Sequence, residues 1–440
     1  MTRLLLVLFI LSLSNLSYAL DKQVLRIHGS NTVGASLAPE LVKSWLNSKG
    51  LNIISDKVTA PEERLIVAKS STQYIEIEIH AHGSSTSFKD FAIGKTDVGI
   101  SSRPIKDKEV EKLSFIGDLR SKHSEYVIAL DGLPIIVHPS NPITKLDIAT
   151  IQKIFSGKIT HWSQLGFKNG INKGRINLYA RDDKSGTYDT FKSLVLGKEA
   201  PLSKKAQRFE SNAKLSDSVA SDPNGIGFVG LAYVRNAKVL AISDEGTQAI
   251  KPAAFSVATE DYALARRLYI YIPEKGSSIL AREFAGFAVS PAADKIVSKV
   301  GFVSQELNGY KLAVSKQAPK EYRKLTQDAE RLSLNIRFNS GSVILDNKAV
   351  RNIARLSVYL SKPENKKRKL MLFGFTDKHE VAPYVSLSVS IQRADIVADY
   401  LLRNHIAPAK VRGYGDQLAV ATNLTQHGKN KNRRVEVWLQ

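Results

Sequence analysis

The chain has 440 residues, of which 43% are hydrophobic and 24% are charged, proportions typical of a soluble globular protein with two or three domains. It contains no cysteine, so we expect packed cores rather than disulfide bonds to stabilise it, and no lipid-anchored N-terminal cysteine. The formal net charge of +21 indicates an anionic partner, for which nucleic acid is the usual candidate.

The first residues have the layout of a signal peptide. One arginine precedes an apolar stretch from Leu4 to Leu13, and the small residues Ser17 and Ala19 follow it. The apolar stretch is too short to span a bilayer. The sequence therefore predicts that residues 1–19 direct export. Export argues against a nucleic-acid partner and favours anionic envelope material or small anions.

Residues 20–314 alternate short apolar runs with helical patterns. VLRIHG predicts a strand, and ASLAPELVKSWL predicts the helix that follows it. LPIIV predicts a buried strand, and LDIATIQKIFSG a helix ended by Gly157. GRINLYARDDKSGTYDTF again indicates strand, turn and helix. Such repeated units predict an α/β domain with mostly parallel sheets.

The apolar pattern thins over residues 315–331. SKQAPKEYRKLTQDAER is polar and includes a proline, so it predicts a linker or a solvated helix, with little packing between the parts it joins. Residues 332–440 then form a compact unit. Strands are predicted at LNIRF, KLMLFGF and RRVEVWL, with helices at DNKAVRNIARLSVYLS, capped by Asp346, and at SIQRADIVADYLLRN.

Four loops in the first part share one chemical character. GSNTVG, GSSTSF, GISSRP and RDDKSGT each place glycine and hydroxyl residues at the end of an apolar strand. Small residues allow a ligand to approach the backbone, and hydroxyl groups donate to an anion. Arg181 adds a guanidinium that matches two oxygens of a tetrahedral anion, and Asp183 could orient it. The alternative is that each loop is an ordinary capped turn.

These motifs, together with IQKIFSGKITHWSQLG and AGFAVSPAADKIVSKVGFV, resemble the phosphate-binding proteins of ABC importers from about Leu25 to Phe302. The resemblance implies a type II periplasmic-binding-protein fold, with two α/β lobes that close on one phosphate ion. It implies the following ligands: Thr32, the Val33 backbone N–H, Ser84, Ser102, Arg181, Ser185, Gly186 and Thr187. Ser102 stands where some members carry an aspartate, which accepts the proton of phosphate and so rejects sulfate.

FGFTDKHEVAPYVSLSVSIQRADIVADYL and NKNRRVEVWL resemble the OmpA-like peptidoglycan-binding domain, a βαβαβ α+β fold. The resemblance implies that Thr376, Asp377 and Arg393 hold the zwitterionic end of diaminopimelate in the wall peptide. Ser386 replaces the usual asparagine, and the loop that follows Asp377 is one residue longer than in the family. The alternative is that Asp377 and Arg393 simply pair with each other.

IEIEIHAHGSS alternates strictly and places Glu76, Glu78, His80 and His82 on one strand face. These residue types could hold zinc, but we predict a solvated face because the sequence shows no supporting shell.

We therefore predict a phosphate-binding protein of the periplasm, anchored non-covalently to peptidoglycan, with no cofactor or metal and possible docking to an ABC importer permease. The alternatives are a wall-linked structural or adhesive protein with a changed or lost ligand, and a phosphatase-like hydrolase, against which the missing nucleophile and metal cluster argue.

Overall fold

The computed structural model describes residues 22–166, 174–198, 200–338 and 344–440. The predicted signal peptide lies outside these ranges. Within them, every helix is too short or too polar to cross a membrane.

Strands and helices alternate along the chain. The strands are β1 (Lys22–Gly29), β2 (Asn52–Ala60), β3 (Glu63–Lys69), β4 (Tyr74–His80), β5 (Val98–Ser101), β6 (Glu125–Gly132), β7 (Ile135–Val137), β8 (Lys145–Asp147), β9 (Asn177–Arg181), β10 (Gln207–Phe209), β11 (Gly225–Phe228), β12 (Lys238–Val239), β13 (Ala241–Ser243), β14 (Ala265–Tyr271), β15 (Gly309–Tyr310), β16 (Glu330–Arg337), β17 (Leu370–Gly374), β18 (Lys410–Gly413) and β19 (Arg434–Leu439). The helices are α1 (Asn31–Gly34), α2 (Leu37–Ser48), α3 (Ser84–Ala92), α4 (Asp107–Lys112), α5 (Ile148–Phe155), α6 (Gly186–Phe191), α7 (Asn212–Ser221), α8 (Ala254–Ala258), α9 (Ile279–Ala288), α10 (Pro291–Val300), α11 (Lys320–Thr326), α12 (Asn347–Ser361), α13 (Pro383–Leu402) and α14 (Gln426–Asn432).

The first lobe is built on a sheet in the order β2-β3-β4-β1-β5-β14-β6. Strand β1 runs parallel to β4 and β5, whereas β2, β3 and β4 pair antiparallel, as do β5, β14 and β6. The expectation of mostly parallel sheets is wrong here. Residues 61–62 and 70–73 are too short for crossover connections, so they can only join antiparallel neighbours.

The second lobe has a sheet in the order β10-β9-β11-β7-β12, in which β9, β10 and β11 are parallel. The chain enters this lobe after β6 and returns to the first lobe with β14, so two segments cross between the lobes. The helices pack as their patterns predict. Leu41, Val42 and Trp45 of α2 are buried, as are Ile151, Ile154 and Phe155 of α5.

The third sheet has the order β15-β16-β19-β17-β18 and is covered by α12 and α13. The predicted cap of α12 is confirmed, since the Asp346 carboxylate accepts a hydrogen bond of 2.7 Å from the Ala349 N–H. The predicted linker forms a short helix with many exposed residues, but one face of this helix is packed. Its helix α11 places Tyr322 in a buried aromatic cluster with Phe373 and Trp438, where the Tyr322 hydroxyl donates to Glu436 at 2.7 Å. The Tyr322 ring supplies the apolar area for this packing. The sequence pattern did not indicate it, because most of the neighbouring residues are polar.

The expectation of little packing between the binding lobes and the C-terminal sheet is also wrong. Glu260, on the segment that returns from the second lobe, is 7% exposed and accepts from Arg337 of β16 at 3.0 Å. Asp346 accepts from Arg267 of β14 at 2.8 Å, and the Lys431 ammonium donates to the Ala263 carbonyl at 2.9 Å. Charged residues that look solvated in the sequence therefore form a buried interface.

Candidate functional site

The hydroxyl loops meet in the cleft between the first two lobes. The Thr32 hydroxyl, which follows β1, lies 2.9 Å from the Thr187 hydroxyl at the start of α6 in the second lobe. The Ser84 and Ser102 hydroxyls lie 3.3 Å apart, and Ser84 also accepts from the Ser102 N–H at 3.0 Å. All four residues are buried. The cleft is therefore lined with small groups that can donate hydrogen bonds.

Gly186 is a position where the two lobes approach each other closely in this cleft. A Cβ atom built there would lie 2.1 Å from the Ser84 hydroxyl and 2.7 Å from that of Ser102. Real side-chain atoms do not approach so closely, so a side chain here would push the lobes apart. Glycine at this position keeps the backbone of α6 within reach of the serines.

Arg181 ends β9 and is held rigidly at the floor of the cleft. Its Nε donates to the Phe209 carbonyl at 3.1 Å, and its Nη2 donates to the Glu210 carbonyl. Its Nη1 is buried and has no hydrogen-bond partner among the described residues. Burial lowers the pKa of Arg181 to about 10, although the nearby negative charge of Asp182 acts to raise it. A buried guanidinium with a free donor is electrostatically prepared for an anion.

Three expectations about individual residues need correction or qualification. Asp183 does not orient Arg181, because it is exposed and accepts from Arg208 at 2.8 Å. The Val33 N–H donates to the Ser30 carbonyl at 3.2 Å, so it is already engaged within the turn. The Ser185 hydroxyl caps α6 by accepting from the Thr187 N–H at 3.2 Å, as the capped-turn alternative proposed.

Arg266 is a member of the cleft that the sequence analysis missed. It comes from β14, and its Nη1 donates to the Thr187 hydroxyl at 2.8 Å. Its other nitrogens bind the fully buried carboxylate of Asp131 at 2.6 and 2.9 Å. No motif identifies this arginine, because the pattern of YALARRLYI predicts only a strand. The pair places a second guanidinium beside the hydroxyl groups of the cleft.

Asn31 and Asn212 complete the polar lining of the cleft. The Asn31 side-chain oxygen lies 3.4 Å from Arg181 Nη2 and accepts from the Asn212 amide at 3.1 Å. The same amide also donates to the Thr32 hydroxyl at 3.3 Å. Asn31 is in the GSNTVG loop, but the sequence signal pointed to the hydroxyl neighbours.

In the C-terminal unit, Thr376, Asp377 and Arg393 are all buried. Asp377 and Arg393 do not pair with each other. Asp377 binds the Arg433 Nε at 2.5 Å, while Arg393 binds both carboxylate oxygens of Glu380, one of them at 2.7 Å. The Thr376 hydroxyl has no hydrogen-bond partner among the described residues. Glu380 was not predicted, because a glutamate in a loop that contains both acidic and basic residues forms no distinctive sequence pattern.

Two α/β lobes joined by two crossing segments, with hydroxyl and guanidinium donors facing each other across the cleft, define a two-lobed periplasmic binding protein. Residues 51–292 match the model of the PBP superfamily domain, and residues 337–433 match that of the OmpA family.

Protein SphX of Synechococcus elongatus is 31% identical over 55% of this chain and 73% of its own length. Phosphate-binding protein PstS of Staphylococcus aureus is 33% identical over 52% of this chain and 69% of its own length. A structure of a putative phosphate ABC transporter substrate-binding protein from Clostridium perfringens, with bound phosphate, shows 25% identity. It covers 64% of this chain and 99% of its own, with a TM-score of 0.51. The chain belongs to the PstS-like binding proteins of the PBP superfamily and carries a C-terminal OmpA-family domain.

Proposed function

We propose that the two lobes bind one inorganic phosphate ion in the cleft, as a receptor and not as an enzyme. The observation that carries the proposal is the buried Nη1 of Arg181, a charged donor without a partner among the described residues. Hydroxyl groups of Thr32, Ser84 and Thr187 surround the same cleft and can donate to the remaining oxygens of a tetrahedral anion. The relatives named for phosphate binding support this ligand.

We propose further that the protein is exported to the periplasm and that its OmpA-family domain attaches it to peptidoglycan. Asp377 would take the ammonium group of diaminopimelate, and Arg393 would take its carboxylate. Thr376 offers a buried hydroxyl beside them. The relation to ABC-importer receptors makes an importer permease a candidate partner for the two lobes, which we assign to residues 20–314.

Calorimetric titration of the full chain with phosphate tests the first proposal. We expect one site per chain. Replacing Arg181 by alanine removes one side of a buried charge–anion contact, which costs about 2–5 kcal/mol, or roughly 30-fold to several-thousand-fold in affinity. Arg282→Ala, on the exposed side of α9, is the control and should bind as the wild type does. Equal affinity of Arg181→Ala and wild type would refute the site.

Sedimentation of the full chain with purified, diaminopimelate-containing peptidoglycan tests the second proposal. Wild type should pellet with the wall material, and Arg393→Ala should stay in the supernatant with its phosphate affinity unchanged. A chain that pellets but does not bind phosphate would support the alternative of a wall-linked structural protein. Release of phosphate from an ester would support the hydrolase alternative.

A further inference from the structure

Two histidines and a glutamate gather on the first sheet, outside the anion cleft. His28 at the end of β1 and His80 at the end of β4 are direct neighbours in the parallel register. Glu78 lies two residues before His80 on the same face. Each of the three offers one ligand atom, and these atoms all lie within 4.8 Å of one another.

His28 has the orientation that a metal ligand requires. It is 5% exposed, and its Nδ1 lies 2.7 Å from an Asp90 carboxylate oxygen of α3. This contact fixes the ring and leaves Nε2 as the free nitrogen. Nε2 is buried and has no hydrogen-bond partner among the described residues.

Some of the neighbouring side chains already have ionic partners, whereas others are available to bind a metal ion. Glu76 pairs with Lys22 at 2.9 Å, and His82 lies between Glu63 and Glu210, at 3.0 Å from each. The other Glu63 oxygen lies 3.9 Å from His80 Nε2. The face that the sequence analysis expected to be solvated is therefore half-buried, and Asp90 supplies the supporting contact that the sequence did not show.

We propose that His28, His80 and Glu78 bind a divalent transition-metal ion of the zinc type, with Glu63 within reach as a fourth ligand. An aspartate that holds the far nitrogen of a ligating histidine is the usual support of such sites, and Asp90 has this place. Two imidazoles with one or two carboxylates favour zinc and its neighbours over calcium or magnesium, which prefer oxygen ligands alone.

One side chain has to move for coordination. The His28 and His80 rings are stacked, with centroids 4.3 Å apart and planes 12° apart, so their lone pairs are nearly parallel. His28 is fixed by Asp90, whereas the His80 side chain is 34% exposed and can turn about its Cβ–Cγ bond. A bound ion would join the ends of β1 and β4, immediately before the loops that carry Thr32 and Ser84.

Zinc titration of the purified full chain, by competition with a chromophoric chelator, tests the proposal. Wild type should bind one Zn²⁺ per chain, and Co²⁺ in its place should give a visible absorption band of a site with nitrogen and oxygen ligands. Asp90→Asn should weaken zinc binding by about 10- to 100-fold, the usual effect of a supporting contact. His80→Ala should abolish it. The exposed His123→Ala is the matched control and should bind as wild type does.

Thermal unfolding gives an independent measurement, because a ligand that binds the folded chain raises its Tm. Zinc should raise the Tm of wild type and His123→Ala but not that of His80→Ala, whose half-exposed position makes it suitable for a folded variant. Zinc binding that survives in His80→Ala, or that is lost in His82→Ala but not in His80→Ala, would overturn the assignment. So would a wild-type chain that binds no zinc.

Discussion

Ser102 is the buried hydroxyl at the position where some family members carry an aspartate, and its chemistry bears on selectivity. A hydroxyl can donate as well as accept, so it suits both a protonated oxygen of phosphate and a bare oxygen of sulfate. A carboxylate accepts only, and it would repel a bare oxygen. We therefore expect the serine to discriminate only weakly between the two anions at this point of the cleft.

We expect Ser102→Asp to weaken sulfate binding at least about tenfold relative to phosphate, a difference of 1.4 kcal/mol. Asparagine has the shape of aspartate without its charge, so Ser102→Asn should keep the wild-type ratio of the phosphate and sulfate affinities. Competition calorimetry with both anions measures the ratio. Complete exclusion of sulfate by wild type would mean that another acceptor makes the selection.

Glu380 occupies the Arg393 guanidinium that is proposed to receive the wall peptide. Both of its oxygens bind that guanidinium, so the carboxylate of diaminopimelate must displace them. Glu380→Gln removes the competing charge, and we expect peptidoglycan affinity to rise severalfold, within the range of a partly buried ion pair. Glu364→Gln, exposed in the same domain, is the control. Unchanged or weaker sedimentation of Glu380→Gln would mean that Arg393 does not receive the ligand.

Arg103 connects elements of the two lobes across the mouth of the cleft. It follows β5 in the first lobe and donates to Asp189 of α6 in the second at 2.8 Å, while Glu109 of its own lobe binds the same guanidinium at 2.6 and 2.7 Å. Lys106 also donates to Asp189 at 2.8 Å. Because the contacts with Asp189 join the two lobes, we expect them to stabilise the closed, ligand-binding conformation.

We expect Asp189→Asn to weaken phosphate binding by about tenfold, because charged hydrogen bonds contribute about 1.5–3 kcal/mol each and only part of this is lost. Glu109→Gln is the matched control, since it removes a partner of the same arginine within one lobe and should have a smaller effect. Titration calorimetry compares the two. A larger loss in Glu109→Gln would show that closure does not depend on Asp189.

Most helices and strands could be predicted from the periodicity of their apolar residues, but the elements that they pair with or pack against could not. The apolar face of α2 and the Asp346 cap of α12 are local patterns, and both were correct. The direction of β14 and the place of α11 depend on contacts with residues far along the chain. The donor loops were recognisable because each contains its own signal, whereas Arg266 and His28 acquire a role only through Asp131 and Asp90.

At the scale of the whole molecule, a buried ionic cluster joins the binding lobes to the OmpA-family domain. Glu260 accepts from Arg267 at 2.6 Å and from Arg337 at 3.0 Å, and the Lys348 ammonium lies 3.6 Å away. Burial alone would raise the pKa of Glu260, but these three cations outweigh it and hold the pKa well below its usual value. The stabilisation is therefore present above about pH 4.5 and is lost as the pH falls through the lower folded pKa.

We expect Glu260→Gln to lower the free energy of unfolding by about 3–5 kcal/mol at pH 7, because the buried cations lose their counter-charge. The difference from wild type should shrink as the pH is lowered below about 4.5. Calorimetric Tm values over this pH range measure both effects, with the exposed Glu245→Gln as control. A Tm difference that does not change with pH would show that the Glu260 charge is not what stabilises the interface.

The packed interface also means that wall attachment and phosphate binding act within one connected molecule. Lys431 of α14 reaches the Ala263 carbonyl, on the segment that crosses between the lobes. Attachment through the OmpA-family domain therefore leaves the cleft in place beside the wall rather than on a loose tether. A single chain should therefore hold phosphate and peptidoglycan at once.

The most direct test is retention of radiolabelled phosphate by purified peptidoglycan sacculi loaded with the full chain. We expect washed sacculi to keep one phosphate per bound chain, bare sacculi to keep none, and sacculi loaded with Arg181→Ala to keep the protein but not the phosphate. Phosphate that stays in solution although the wild-type chain pellets, or a wild-type chain that does not pellet at all, would contradict this expectation.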